Sequence, residues 1–204
     1  MSKTDTSDLQ ARRGYHHGNL REALVSAARL LSAEKGPHGF TMAEAARAAG
    51  VSASAPYRHF KDRDALMAEL CRRGFEEFAR RLGTAFQSAA STKDGLTLMG
   101  RAYLGFARDD PGTYAAMFSY RPDQPREGVG GKDEAFAPLV EAIARLLPAD
   151  RREGVSPRLM ALEVWAMSHG LAGLERAGLP GPGSGAPPAE VVLEDAVGRL
   201  IRGA

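Results

Sequence analysis

The stretch of residues 41–60, TMAEAARAAGVSASAPYRHF, decides how the N-terminal part of the chain folds. Thr41 is followed three residues later by a glutamate, and this capping-box pattern predicts that a helix begins here. Gly50 is expected to end that helix because glycine adopts a positive φ without strain. Ser52 is positioned to cap a second short helix over 53–60. Two short helices joined by the tight turn Ala-Gly-Val-Ser are typical of a helix-turn-helix.

The second of these helices has the composition of a surface that meets an anion. Free N–H groups and the dipole at a helix N-terminus favour phosphate binding. Tyr57, Arg58 and His59 can donate hydrogen bonds to phosphates or to base edges, and Lys61 and Arg63 extend the positive surface. The residues alone also allow a plainer interpretation, an Ala-rich helical hairpin with a solvated charged face.

Helical periodicity extends from this segment in both directions, and no alternating strand pattern interrupts it. An amphipathic helix precedes it, and Asp62 is placed to cap a long helix that follows. Segments rich in Gly and Pro at 120–132 and 178–189 favour loops. The sequence therefore predicts an all-α chain of about nine helices. They are expected at 19–36, 41–50, 53–60, 62–89, 92–108, 110–119, 133–147, 156–177 and 189–202.

Charge is distributed unevenly along the 204 residues, whose net charge is +2. Residues 1–73 hold 12 basic and 8 acidic side chains, a net charge of +4, whereas residues 74–204 have a net charge of −2. This asymmetry favours an anionic partner at the N-terminal end. The polar arm at 1–18 is expected to be flexible. Its Arg12, Arg13, His16 and His17 could reach the same anion.

Composition excludes several classes of protein. One cysteine permits neither an intramolecular disulfide framework nor a multi-cysteine zinc site. The longest apolar run is five residues, far short of the roughly 20 that a transmembrane helix needs, and the first 19 residues do not resemble a signal peptide. We therefore expect a cytoplasmic protein without a membrane partner. No nucleophile elbow, phosphate loop or dinucleotide fingerprint is present, so we expect no enzyme, no cofactor and no metal.

Residues 17–66 resemble the DNA-binding domain of the TetR (tetracycline-repressor-like) family. The resemblance rests on Ala-Ala-x-Leu at 27–30, Gly36, Phe40-Thr41, Ala45-Ala46, Ala49-Gly50-Val51-Ser52, Tyr57-Arg58-His59-Phe60, Asp62, Arg63 and Leu66. It departs from the family at Ala55-Pro56, where many members have Thr and Leu, so base preference cannot be transferred. The resemblance implies that Thr41, Ser52, Ser54, Tyr57, His59 and Arg63 lie at or near DNA, with phosphate contacts by Tyr57 and His59. The charge pattern adds Arg58 and Lys61.

The C-terminal part is similar to the WHG-type domain of one TetR subgroup, through residues 100–119 and the pattern Trp165-x-x-x-His169-Gly170. The resemblance implies a helix-turn-helix DNA-binding domain at 19–73 and a ligand-binding and dimerisation domain at 74–204. The last two helices are candidates for a dimer interface, unless they close the core of their own subunit. The candidate pocket residues, each of which could equally be ordinary core, are Met99, Tyr103, Phe106, Tyr114, Met117, Phe118, Trp165 and His169.

These features predict a homodimeric repressor that binds a pseudo-palindromic DNA operator and is released by a small apolar or amphipathic effector. The long helix that begins near Asp62 joins both domains and is the expected coupling element. A helical small-molecule-binding or scaffold protein without DNA binding is the alternative.

Overall fold

The computed structural model describes residues 20–121, 132–147, 156–181 and 183–203, and every regular element in these ranges is helical. The predicted all-α fold of about nine helices is confirmed, with eight α-helices and one 3₁₀ helix in the described ranges. The predicted arm at 1–18 lies outside these ranges. None of the described helices is long and apolar enough to cross a membrane. In chain order the elements are α1 (Leu20–Lys35), α2 (Met42–Ala48), the 3₁₀ helix (Ala55–Arg58), α3 (Arg63–Gln87), α4 (Thr92–Asp109), α5 (Pro111–Ser119), α6 (Lys132–Leu146), α7 (Pro157–Arg176) and α8 (Ala189–Gly203).

In the N-terminal part of the chain, helices begin and end at residues that the local sequence marks. The Thr41 hydroxyl accepts a hydrogen bond from the Glu44 N–H at 3.2 Å, and the Glu44 carboxylate accepts one from the Thr41 N–H at 2.8 Å. The predicted capping box of α2 is thus confirmed. Gly50 adopts the expected positive φ of +72°. The Asp62 carboxylate accepts from the Ala65 N–H at 2.7 Å, which confirms the predicted cap of α3.

The second helix of the motif differs from the prediction. It is one turn of 3₁₀ helix rather than a helix over 53–60, and its cap position is Ser54, whose side chain makes no capping bond. The prediction that Ser52 caps it is therefore wrong. In an α-helix the N–H of residue 56 would donate to the Ser52 carbonyl, but Pro56 has no N–H. The Ala55 N–H donates to that carbonyl instead, at 3.0 Å, which is the tighter 3₁₀ pattern.

Residues 20–73 and 112–121 pack into one compact unit, called the first unit below. Helix α5 contributes Ala116, and Tyr120 follows just after its end; both are buried. These two side chains join an apolar core that α1, α2 and α3 share, and burial of this apolar surface holds the unit together. The other buried core residues are Leu24, Val25, Ala28, Leu31, Phe40, Met42, Ala45, Phe60, Leu66, Met67, Leu70 and Cys71.

Helix α5 approaches α1 closely because residue 112 is glycine. A Cβ atom at Gly112 would lie 2.0 Å from the Arg29 carbonyl oxygen and 3.1 Å from the Ala33 nitrogen. The sequence interpretation counted α5 with residues 74–204, whereas its residues from 112 onward pack with the helix-turn-helix. The domain boundaries themselves stay a prediction.

The other described residues, 74–111 and those after 131, form the second unit. Helix α4 packs against α6, α7 and α8, and α7 also packs against α6 and α8. The core centres on Phe78, whose ring centroid lies 5.0 Å from that of Tyr103, 5.2 Å from that of Phe106 and 5.8 Å from that of Trp165. Each pair meets edge to face, the arrangement that the aromatic quadrupole favours.

Candidate nucleic-acid interface and effector site

The 3₁₀ helix and the turn before it form an exposed surface of the first unit. Pro56 and Phe60 are buried four residues apart and anchor this helix, so the three residues between them face solvent. Tyr57 is 58% exposed, and its hydroxyl is available to a phosphate oxygen. Seven of the eight residues predicted at DNA are exposed on this unit. They are Thr41, Ser52, Ser54, Tyr57, Arg58, His59 and Lys61.

Cations of this surface lie without a carboxylate partner in the part of the chain that the structure describes. Among the described residues, Arg58 and Lys61 form no ion pair, and neither does the exposed Arg47 of α2. By contrast, four arginines of α3 are bonded to Glu69 or Glu77. A cation without a carboxylate partner can meet a phosphate without first breaking an ion pair. Sequence reasoning did not include Arg47 among the residues at DNA. The feature that could have indicated it is its position as a basic residue in the last turn of α2.

Thr41 has a structural role in addition to its predicted contact. Its hydroxyl donates to the Glu44 carboxylate at 2.9 Å while it caps α2, and the Lys35 ammonium donates to the same carboxylate at 2.7 Å. The hydrogen bonds from Lys35 and then from Thr41 lower the pKa of Glu44 to about 2. A DNA contact by Thr41 stays a prediction.

Arg63 is the exception among the eight residues. It is half-buried at the start of α3, donates to the Pro37 carbonyl, and lies over the Phe40 ring, 4.6 Å from its centroid. The side chain is therefore not on the exposed surface that the other seven share, and its DNA contact also stays a prediction.

The eight predicted pocket residues are divided between the two units. Tyr114, Met117 and Phe118 of α5 lie in the first unit, where Tyr114 and Met117 are buried and the rings of Tyr114 and Phe118 are 4.8 Å apart. The other five lie in the second unit. They are Met99, Tyr103, Phe106, Trp165 and His169.

Within the second unit, a small cavity of about 20 Å³ adjoins three of those five residues. Its wall combines Met99, Tyr103 and Trp165 with further apolar residues and with the buried Ser168. A cavity of that volume holds about one water molecule. The residues that complete the wall are Leu82, Leu96, Gly100, Leu139 and Val164.

His169 brings a polar group close to this cavity. The Tyr103 hydroxyl lies 3.1 Å from His169 Nδ1, although the histidine itself is exposed on α7. Burial of part of the ring, and then the charge of Arg176, lower the pKa of His169. In a neutral ring, Nδ1 can accept a hydrogen bond from the tyrosine hydroxyl, and Nε2 then carries the N–H.

Sequence reasoning missed the contribution of α8 to this region. A second cavity, of about 40 Å³, lies between α4 and α8 and shares Leu96, Gly100 and Val164 with the first. Leu193 and Val197 of α8 line it. Their apolar stripe was the available signal, and the sequence interpretation left it open between a dimer interface and the core of its own subunit.

No cluster of three or more His, Cys, Asp or Glu side chains that could hold a metal ion occurs in the described part of the chain. The cysteine, Cys71, is buried, and its thiol donates to the Ala116 carbonyl at 3.2 Å. This contact joins α3 to α5 inside the first unit.

A helix-turn-helix that exposes cations without a carboxylate partner in the described ranges, within a fold whose described elements are all helical, has the features of a DNA-binding regulator. Two family models match it. Residues 24–70 match the family described as bacterial regulatory proteins, tetR family, and residues 96–200 match the tetracyclin repressor-like C-terminal domain. The chain belongs to the TetR family of transcriptional regulators, which bind DNA and are not enzymes. The resemblance found in the sequence is thus confirmed.

Individual relatives agree with this assignment. An uncharacterized HTH-type transcriptional regulator of Mycobacterium tuberculosis (strain H37Rv) is 27% identical over 129 residues, and the chain spans 63% of that curated relative's length. A solved protein of unknown function from Rhodococcus sp. RHA1 superposes with a TM-score of 0.76 at 28% identity, covering 93% of this chain and 97% of that one. The TetR family regulator PfmR from Thermus thermophilus has a TM-score of 0.65 at 18% identity, over 88% and 97% of the two chains, and supports the fold alone.

Proposed function

We propose that this regulator is a homodimeric, ligand-responsive repressor that acts in the cytoplasm, where bacterial operator DNA lies. The observation that carries the proposal is the outward-facing 3₁₀ helix. Buried Pro56 and Phe60 fix it, and between them Tyr57 and Arg58 meet solvent without a carboxylate partner in the described ranges.

We expect Tyr57 and His59 to donate to DNA phosphates, which set the register on the duplex. Ser52, Ser54 and Arg58 are then near the major groove. In a two-fold symmetric dimer, two such surfaces would enter successive major grooves about 34–36 Å apart, so the operator is a pseudo-palindrome.

Exposed apolar and small side chains on α7 support dimerisation. Leu159 and Leu162 are each 57% exposed. At helical spacing, the exposed Ala166, Gly170 and Gly173 continue the same face. A continuous apolar face of this kind is typical of an interface, and in a dimer α7 would pack against α7 of a second copy, with small residues permitting close approach. On α8, Val191 and Val192 are also exposed.

The two cavities between α4, α7 and α8 support an apolar or amphipathic effector. At about 20 and 40 Å³ they are too small for such a molecule, so it can occupy these two cavities only if α4, α7 and α8 separate. A ligand that binds the separated arrangement shifts the population towards it. By thermodynamic linkage, effector and operator then weaken each other by the same factor. His169 and Tyr103 are the polar groups that could orient the effector.

Capture of genomic fragments by the purified protein tests the proposal. Fragments that bind should share a pseudo-palindrome, and their affinity should fall steeply with salt because phosphate contacts release counterions. A flat response to salt, or capture of no DNA, would favour the alternative of a helical binding or scaffold protein.

A further inference from the structure

Arg63 is enclosed by groups of the first unit. Its guanidinium donates to the Pro37 carbonyl, and its Cζ lies 4.6 Å from the Phe40 ring centroid and 5.6 Å from that of Tyr120. Its Nε is buried and has no hydrogen-bond partner among the described residues. An unsatisfied buried donor costs free energy, so the carbonyl and the two ring faces must stabilise this position.

Tyr120 completes the enclosure from the end of α5. It is buried, its hydroxyl donates to Asp64, and its ring stacks on His38 with centroids 5.1 Å apart. The Arg121 N–H donates to His38 Nε2 at 3.4 Å. Residues 120 and 121 therefore contact both the loop before α2 and the first turn of α3.

These contacts close the helix-turn-helix at its base. Pro37 and Phe40 precede the 41–60 segment, and Arg63 follows it, so the guanidinium joins the two ends of the segment. We propose that Arg63 and Tyr120 form a clasp that positions the helix-turn-helix for its operator, and that Arg63 affects operator affinity without contacting DNA. This inference rests on the proposed DNA-binding function and revises the predicted role of Arg63.

Lys61 supplies the matched comparison. It lies two residues before Arg63, is exposed, and forms no ion pair among the described residues. The lysine ammonium can bind a phosphate as a point charge. Only the planar guanidinium of arginine stacks on rings and presents a fork of hydrogen-bond donors. A phosphate contact at position 63 would therefore tolerate lysine, and a clasp would not.

Binding is measured with the captured operator and with a random-sequence duplex of equal length. For Arg63→Lys we expect operator affinity to fall about tenfold, because the ring and carbonyl interactions of the guanidinium are removed, with unchanged affinity for the random duplex. Arg63→Gln should also leave the salt dependence on the random duplex unchanged. The control Lys61→Gln should weaken binding to both duplexes and reduce the salt slope by about 0.9 for each phosphate that is no longer neutralised.

Tyr120→Leu keeps apolar volume but removes the ring face and the hydroxyl. It should reproduce the effect of Arg63→Lys on operator affinity, and the double variant should be no worse than either single one, because each change opens the same clasp. Thermal melts show whether each variant is folded at the temperature of the binding assay.

Three results would overturn the clasp. In the first, Arg63→Gln lowers the salt slope as Lys61→Gln does. In the second, Arg63→Lys and Tyr120→Leu bind the operator as wild type does. In the third, these variants have lower melting temperatures than wild type, but the ratio of operator affinity to random-duplex affinity is unchanged. Failure of the wild type to bind either duplex would instead overturn the proposed function. If the wild type binds neither duplex, melting temperatures still test the clasp. A shift in the Arg63→Lys, Tyr120→Leu double variant equal to the sum of the two single shifts would overturn it.

Discussion

The role of Tyr57 at DNA can be tested by a substitution that leaves the fold intact. Its side chain is 58% exposed between two buried anchors, so Tyr57→Ala should leave the melting temperature nearly unchanged. We expect operator affinity to fall about tenfold or more, since a hydrogen bond to a charged phosphate is removed. Fluorescence anisotropy with labelled operator measures the change. Wild-type affinity in this variant would argue against the 3₁₀ helix as the contacting element.

His169 should make the stability of the second unit depend on pH. Because burial lowers its pKa, the folded chain binds this proton less readily than the unfolded chain. The stabilisation is complete above the unfolded pKa of about 6.5 and is lost as the pH falls through the folded value. We expect the unfolding midpoint of wild type to fall more than that of His169→Gln between about pH 7 and about pH 5.

Two carboxyl groups of α3, those of Glu69 and Glu77, do not obscure that comparison. Hydrogen bonds from Arg72 to Glu69 and from Arg80 to Glu77 lower the pKa of each carboxyl to about 2. Their contribution is complete above the unfolded carboxyl pKa and is lost only as the pH falls towards 2. Parallel pH profiles of wild type and His169→Gln would contradict the assigned shift.

At the scale of elements, the contact of α5 with α1 depends on Gly112. In Gly112→Ala the new methyl group would meet backbone atoms of α1, which cannot rotate away as a side chain can. We expect a loss of about 1–3 kcal/mol in the free energy of unfolding, measured by denaturant titration. The matched control is Gly105→Ala in α4, where a Cβ meets nothing within 4 Å. That substitution should stabilise the helix by up to about 1 kcal/mol, and equal effects would refute the close-approach argument.

Helix ends were largely predictable, whereas packing partners were not. The caps by Thr41 and Asp62 act within four residues, so the sequence carries them directly. Predicting the 3₁₀ form of the helix that contains Pro56 would have required one further step. Proline lacks the N–H that an α-helix would donate to the Ser52 carbonyl. The run of apolar residues in α5 has the same periodicity whether it lines a ligand pocket or covers the core under a helix-turn-helix, so its partner could not be inferred.

The candidate site shows the same division. The exposure of Arg58 and Lys61 could be predicted because charged side chains next to a short helix are expected at the surface from residue type and local spacing alone. The burial of Arg63 could not, because Pro37 and Tyr120 lie far from it along the chain. A motif gives the residue type at each position but not the direction of a long side chain that has both ring faces and carbonyls within reach.

At the scale of the whole molecule, the α7 face should determine the oligomeric state. Leu162→Glu places a charge on this exposed face without disturbing the core of its own unit. We expect the variant to be a folded monomer with weaker operator binding, since a dimer gains from two half-sites. Light scattering coupled to gel filtration measures its mass. Leu30→Glu is the control, because Leu30 is 60% exposed on α1 and should leave the dimer intact. Two variants of equal mass would contradict this interface.

The first unit is assembled from two stretches of chain, 20–73 and 112–121, with Ala116 and Tyr120 completing its core. A chimeric regulator made by joining residues 1–73 to the sensor of another family member would therefore place this core against a foreign α5. We expect such a fusion to lose solubility or operator affinity unless residues 112–121 are transplanted with the N-terminal segment. Exchange of specificities between such regulators thus requires two grafts rather than one.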